Sequence, residues 1–193
     1  MNVEDVFSNL PTLETSRLKL RKFTIHDAQH MFDYSSMPEV STYVPWETHK
    51  KIEDTLEFLN FVFKQYRQGK LAPWAIEYKE NRKVIGTIDF VAWSTPHHSA
   101  EIGFILSKEY WGRGLVVEAA LKVIDFGFEH MKLNRIEALC IVENVQSQRV
   151  LQKIGMSLDG VSKEKYLIKE KFRDMAAYSI LKKDYYKNEI CNP

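Results

Sequence analysis

Between Glu109 and Lys122 the chain reads EYWGRGLVVEAALK, a turn with two glycines that runs without a break into an amphipathic helix. No other stretch constrains the fold as strongly. Glycine takes the positive φ angles that other residues avoid, and its lack of a side chain lets another group approach the backbone. The first N–H groups of a helix have no partner inside it, and the helix dipole favours negative charge there. Arg113 adds a cation between the two glycines. A phosphate is therefore the natural ligand, although the residues alone leave an ordinary strand-to-helix turn open as the alternative. Two well-known phosphate loops do not fit. Gly112-x-Gly114-x-x-Val117 lacks the third glycine of the dinucleotide fingerprint and follows hairpin strands, and the G-x-x-x-x-G-K-[ST] pattern is absent.

Around this turn the pattern alternates between strand and helix periods. RLKLRKF alternates polar and apolar residues as a first strand, and TIHDAQHMFDYSS follows as a short helix. Across 48–69, Ile52, Leu56, Leu59, Phe63 and Tyr66 share one helical face. PWAIEY and VIGTIDFVAW are predicted as a hairpin around KENRK, and SAEIGFILS as the next strand. Residues 115–131 predict a helix whose stripe is Val117, Ala120, Leu121, Ile124 and Phe128, with Glu118 and Lys122 spaced to pair on its outer face. RIEALCIV is a strand. NVQSQRVLQKIG is a helix that Asn144 can cap and Gly155 can close. MSLDGVSKEKYL and KFRDMAAYSIL close the chain as an antiparallel pair. The expected fold is α/β (α+β): a mixed, mostly antiparallel central sheet with helices on both faces, in one domain over 1–193 with its core at about 13–185.

Charge excludes some classes. Lys and Arg number 27 against 26 Asp and Glu, which gives no reason to expect bulk nucleic-acid or anionic-membrane binding. No apolar run approaches membrane-helix length, and the acidic N-terminus lacks the basic and apolar regions of a signal peptide. Cys140 and Cys191 lack metal spacing, so a reduced, cytoplasmic protein is expected. His97 and His98 are adjacent, with no third ligand nearby, and no metal is expected.

AEIGFIL, YWGRGLVVEA and ENVQSQRVLQKIGM, in that order and spacing, resemble the GNAT superfamily of acyl-CoA-dependent N-acetyltransferases. Glu109 stands where that family's pyrophosphate loop usually has Gln or Arg. Together with LETSRLKLRKF, PEVSTYVPW and KFRDMAAYSIL, this points to the RimJ/RimL-like branch, which acetylates ribosomal-protein N-termini. The resemblance covers roughly 13–185. It implies that acetyl-CoA is the acyl donor, with its pyrophosphate on the backbone of Gly112, Arg113, Gly114, Leu115 and Val116. It implies that the strand holding Phe104, Ile105 and Leu106 is bulged and offers backbone N–H groups to the thioester and pantetheine. Asn144 and Ser147 would contact the same arm, and Arg149 and Lys153 could meet the ribose phosphate, although both also read as solvated surface charges.

Amine acetylation needs a group to take a proton from the ammonium. Glu101 opens its strand beside Gly103, which leaves space next to the carboxylate, and the resemblance implies a general-base role for it. A strand glutamate satisfied by a lysine or by solvent is the plain alternative. Many members of the superfamily place a tyrosine acid seven residues after the asparagine. Here that position is Leu151, and the resemblance to the RimL-like pattern implies Ser147 as the hydroxyl that meets the departing thiolate. A small helix residue bonding back to a carbonyl one turn earlier is the plain alternative. Tyr43, Trp46, Trp93 and Phe172 are candidate walls for the acceptor. The expected activity is acetylation of a protein N-terminal α-amine by a monomer or homodimer. A small-amine acetyltransferase and a non-catalytic acyl-CoA-binding domain stay open at this stage.

Overall fold

The computed structural model describes residues 3–190, so Cys191 lies outside the described residues. One sheet of eight strands runs through the molecule: β1 (Leu13–Glu14), β2 (Leu18–Arg21), β3 (Trp74–Tyr78), β4 (Lys83–Ser94), β5 (Ser99–Leu106), β6 (Arg135–Ile141), β7 (Ser157–Ile168) and β8 (Lys171–Leu181). Their spatial order is β1-β2-β3-β4-β5-β6-β8-β7, and every neighbouring pair is antiparallel except β5 with β6. The helices are α1 (Val3–Phe7), α2 (Ala28–Ser35), α3 (Pro38–Ser41), α4 (Ile52–Arg67), α5 (Leu115–Glu129), α6 (Val145–Lys153) and α7 (Lys182–Ile190).

Strand alternation sorts the core into two layers. Trp74, Ile76, Ile88, Phe90 and Ile102 pack with the apolar stripe of α5, while Ala75 and Ile105 pack with α2 and α4 on the other side. The helix expected over 48–69 is shorter, Ile52–Arg67. Its start is fixed by Asp54, whose carboxylate accepts from the Lys50 N–H at 2.8 Å and the Lys51 N–H at 3.2 Å. A second anchor joins β2 to α2. Arg21 makes a two-pronged contact with Asp27 at 2.7 and 2.8 Å and reaches Glu77 at 2.6 Å. The short α1, which has no sequence signature, seats Phe7 fully buried against Trp74 and Trp93, with ring centroids 6.2 and 6.4 Å away.

Two irregularities in this sheet place the functional site. The parallel ladder between β5 and β6 holds for three pairs, Ser99 with Arg135, Ala100 with Ile136 and Glu101 with Glu137, and then the strands part. The register of β4 against β5 shifts between Phe90 and Ala92, so Val91 is an extra residue on β4. The bulge expected on the strand of Phe104, Ile105 and Leu106 therefore lies on the neighbouring strand. β5 itself keeps an unbroken register and loses its other partner, β6, beyond Glu101. A bulge reverses the alternation of side chains beyond it. Thr87 and Asp89 face the side opposite Ile88 and Phe90, whereas Trp93 pairs with Ala100 and turns into the core.

Candidate active site

Where β5 and β6 part, a cleft of about 1050 Å³ opens into the sheet. Glu101, Gly103, Phe104 and Ile105 of β5 line it on one side, and Ala138, Leu139 and Cys140 of β6 on the other. Thr87 and Asp89 of β4 face it from the next strand, and Asn144, Ser147 and Leu151 from α6. The outer wall is aromatic and apolar. Tyr43 and Trp46 come from the segment before α4, Phe58 and Phe61 from α4, and Tyr166 and Leu167 from the β7–β8 hairpin.

The fold thus brings together seven residues singled out in the sequence: Glu101, Phe104, Ile105, Asn144, Ser147, Tyr43 and Trp46. Others lie elsewhere. Trp93 packs on Phe7, because the Val91 bulge turned it away from the cleft. Phe172 stands 60% exposed at the start of β8, and its cross-strand neighbour Leu167 lines the cleft instead. Leu106 is a buried core residue, and Arg149 and Lys153 project from α6 into solvent.

The glycine turn sits beyond the end of β5 and outside these walls. Gly112 has φ 75° and Gly114 φ 73°, both in the left-handed region. A Cβ on Gly112 would meet no atom within 4 Å, and one on Gly114 would meet only the Arg17 guanidinium, at 3.8 Å. No side chain caps α5, and its first internal bond is from the Glu118 N–H to the Gly114 carbonyl at 3.1 Å. The N–H groups at the start of α5 thus face open space, with Arg113 stacked over Tyr110 alongside. An anion fits this cradle. The turn is latched from behind, because Glu118 does not pair with Lys122 as its spacing suggested. Its carboxylate accepts from the Thr15 hydroxyl at 2.5 Å, the Ser16 hydroxyl at 3.1 Å, the Arg17 N–H at 2.9 Å and the Arg17 guanidinium at 2.6 Å. Arg17 also donates to the Arg113 carbonyl at 3.0 Å. Burial opposes ionisation of Glu118, but these four bonds outweigh it and hold the carboxyl below its usual range.

Within the cleft the electrostatics differ. Burial raises the Glu101 carboxyl, and the nearby charge of Glu137 adds to this while Lys165 opposes it. Asp89 is pushed up to about 7, by burial first and then by the charge of Glu101. Asn144 spends its side-chain oxygen on capping α6, accepting from the Ser147 N–H at 3.1 Å. Burial raises the Cys140 thiol to about 11, against the pull of a hydrogen bond with Ser147. Sequence reasoning missed Asp89. The only signal for it was a carboxylate in an otherwise apolar strand, VIGTIDFVAW.

The Acetyltransferase (GNAT) domain family matches residues 17–157, which takes in β2 through α6 and the whole floor of the cleft. The chain belongs to the GNAT acetyltransferase family. Among its relatives, the uncharacterized N-acetyltransferase YoaA of Bacillus subtilis is 34% identical over 89% of this chain and 97% of its own length. The uncharacterized N-acetyltransferase p20 of Bacillus licheniformis is 32% identical over 91% and 99%. A GNAT-family acetyltransferase structure from Bacillus anthracis superposes with a TM-score of 0.80 at 31% identity, covering 90% of this chain and 99% of that one. The protein is therefore an acetyltransferase. Among the described residues no group of three or more His, Cys, Asp or Glu could hold a metal ion, and no helix is long and apolar enough to cross a membrane.

Proposed function

We propose that this GNAT enzyme moves an acetyl group from acetyl-CoA to the N-terminal α-amine of a protein, as in the RimJ/RimL-like branch. The observation that carries the choice of acceptor is the charge of the cleft. Its only carboxylates among the described residues are Asp89 and Glu101, both on the floor, beneath walls of Tyr43, Trp46, Phe58 and Phe61. One ammonium can be met there, and apolar walls suit the first side chains of a peptide. A polyamine or aminoglycoside would need acids spread along its path. The names of similar proteins do not decide the matter. Spermidine N(1)-acetyltransferase of Escherichia coli is 28% identical over 52% of this chain, and a ribosomal-protein-S5-alanine acetyltransferase from Vibrio fischeri shares the fold with a TM-score of 0.77.

In this reading the glycine turn 112–116 holds the pyrophosphate, and the backbone of Phe104 and Ile105, left without a partner on the β6 side, faces the pantetheine arm. Acetyl-CoA supplies an activated acyl carbon and a leaving thiolate. The protein's own tasks are to take a proton from the ammonium, which has no lone pair to attack with, and to stabilise the oxyanion and the departing sulfur. Glu101, half-buried at the point where β5 and β6 part, is placed to take the proton or to draw it through water. Ser147, which lines the cleft beside Cys140, is placed to meet the thiolate.

The test is an acetyl-CoA-dependent screen read by mass spectrometry. Peptides with a free α-amine should gain one acetyl group on that amine, and N-terminally blocked copies carrying lysine should not. Equal reaction of blocked peptides, or turnover of polyamines or aminoglycosides alone, would replace the N-terminal reading with the small-amine one.

A further inference from the structure

We infer that Asp89 is a second catalytic carboxylate, and that the acceptor ammonium sits in the niche over Gly103, between Asp89 and Glu101. This rests on the amine-acetylation reading above but not on which amine is the acceptor. The niche is built by three positions. Gly103 lies directly across the β4–β5 ladder from Asp89, and Glu101 lies two residues before it on the same face of β5. A methyl group on Gly103 would come within 3.5 Å of an Asp89 carboxylate oxygen and 2.9 Å of the Val91 side chain. The missing side chain therefore keeps the strand surface low at a spot already too tight for a methyl group beside Val91, with the Asp89 carboxylate next to it and Glu101 along the strand. All three residues line the cleft. Among the described residues nothing donates a hydrogen bond to the Asp89 carboxylate, which is an unusual condition for a half-buried acid. An ammonium in the niche would satisfy it.

The groups around Asp89 set its protonation. Glu101 faces it from β5, Tyr66 from α4, and Lys70 lines the cleft beyond α4. Behind Glu101 stand Glu137 of β6 and Lys165 of β7. Burial and Glu101 push Asp89 up to about 7, close to the operating pH, where a general base is most effective. This refines the role proposed for Glu101: the ammonium gives one proton to the Asp89 carboxylate, and the Glu101 carboxylate holds the cation in place and helps draw that proton off. The freed lone pair attacks the thioester carbon, and the C–S bond breaks. The second amine proton ends on the thiolate as CoA–SH, and Asp89 releases the first to water. The balance is one amide, one thiol and one proton.

The test uses whichever amine the screen shows to be acetylated, so failure of the N-terminal reading leaves it intact. Wild type should show an ascending limb of kcat/KM with a midpoint near pH 7. Asp89→Asn should lower kcat/KM about 10²-fold at pH 7. Its limb should move up to the titration of the amine itself, about pH 8 for an α-amine, and its rate should approach wild type above that. Glu101→Gln removes the like charge beside Asp89 and should move the limb to lower pH. Gly103→Ala fills the niche and should raise KM for the amine with acetyl-CoA affinity unchanged. If Asp89→Asn fails to fold, the Glu101→Gln limb decides. An unmoved limb in Glu101→Gln overturns the inference, as does an Asp89→Asn enzyme with wild-type rate and limb, or one impaired equally at every pH.

Discussion

Gly112→Ala separates what the glycine turn does for folding from what it does for a ligand. In the protein alone the added methyl meets nothing within 4 Å, so the only cost is holding alanine at φ 75°. That conformation costs an L-residue about 1–2 kcal/mol. In a chain of 193 residues this corresponds to a fall in Tm of roughly 2–8 °C. The ligand sees a different surface. If the pyrophosphate lies on these N–H groups, the methyl occupies its place. At a concentration of CoA about 100-fold above the wild-type Kd, wild type should gain about 2.7 kcal/mol of stability. A 100-fold loss of affinity would cut the gain in the variant to about 0.4 kcal/mol. Thermal melts with and without CoA measure both quantities at once. Gly160→Ala is the control, because that position has open space and no positive φ, and it should change neither. A folded Gly112→Ala protein whose melting point rises with CoA as much as wild type would refute the placement of the pyrophosphate.

Asp27→Asn should cost about 2 kcal/mol, because it removes the two-pronged charged contact to Arg21 at a site where Asp27 is only 5% exposed and leaves Glu77 as the guanidinium's remaining charged partner. Burial alone would raise the Asp27 carboxyl, but its bonds with Arg21 and Thr24 hold it below its usual range. Its contribution is therefore complete above the unfolded value near ~3.9 and is lost as pH falls through the folded one. Urea unfolding at pH 7 and pH 3 should show the gap between wild type and variant narrowing in acid, and a constant gap would exclude this origin. Ser147→Ala should lower kcat by less than Glu101→Gln does, because a thiolate leaves fairly well unaided. A larger loss in steady-state assays would make sulfur departure, and not proton removal, the demanding step.

Local pattern carried most of the elements. The alternation in SAEIGFILS and RIEALCIV and the stripe after Gly114 became β5, β6 and α5 nearly as read. Asn144 caps α6 as its position suggested. What local pattern cannot carry is pairing. Asp89 belongs to the cleft because Gly103 lies opposite it, and Trp93 does not because Val91 is an extra residue on β4. Both facts concern the register between two strands, and neither leaves a mark in either strand alone. The partner of Glu118 was misread for the same reason. A lysine four residues on is visible in the sequence, whereas Thr15, Ser16 and Arg17, about a hundred residues back, are brought to it only by the fold. Elements of two to five residues, such as α1, β1 and α3, are too short to show a period.

The strand order also has a consequence for how the chain assembles. From β1 through β6 each strand is laid beside the one made just before it, so a chain emerging from synthesis can extend the sheet step by step. At β6 that sequence stops. The next strand made, β7, does not touch β6, and the gap between them is filled only by β8. Until residues 171–181 are made, β6 presents an unpaired edge of the kind that recruits other chains. β8 is the keystone of the sheet, and the cleft wall carried by β6 is only as secure as the last strand to arrive.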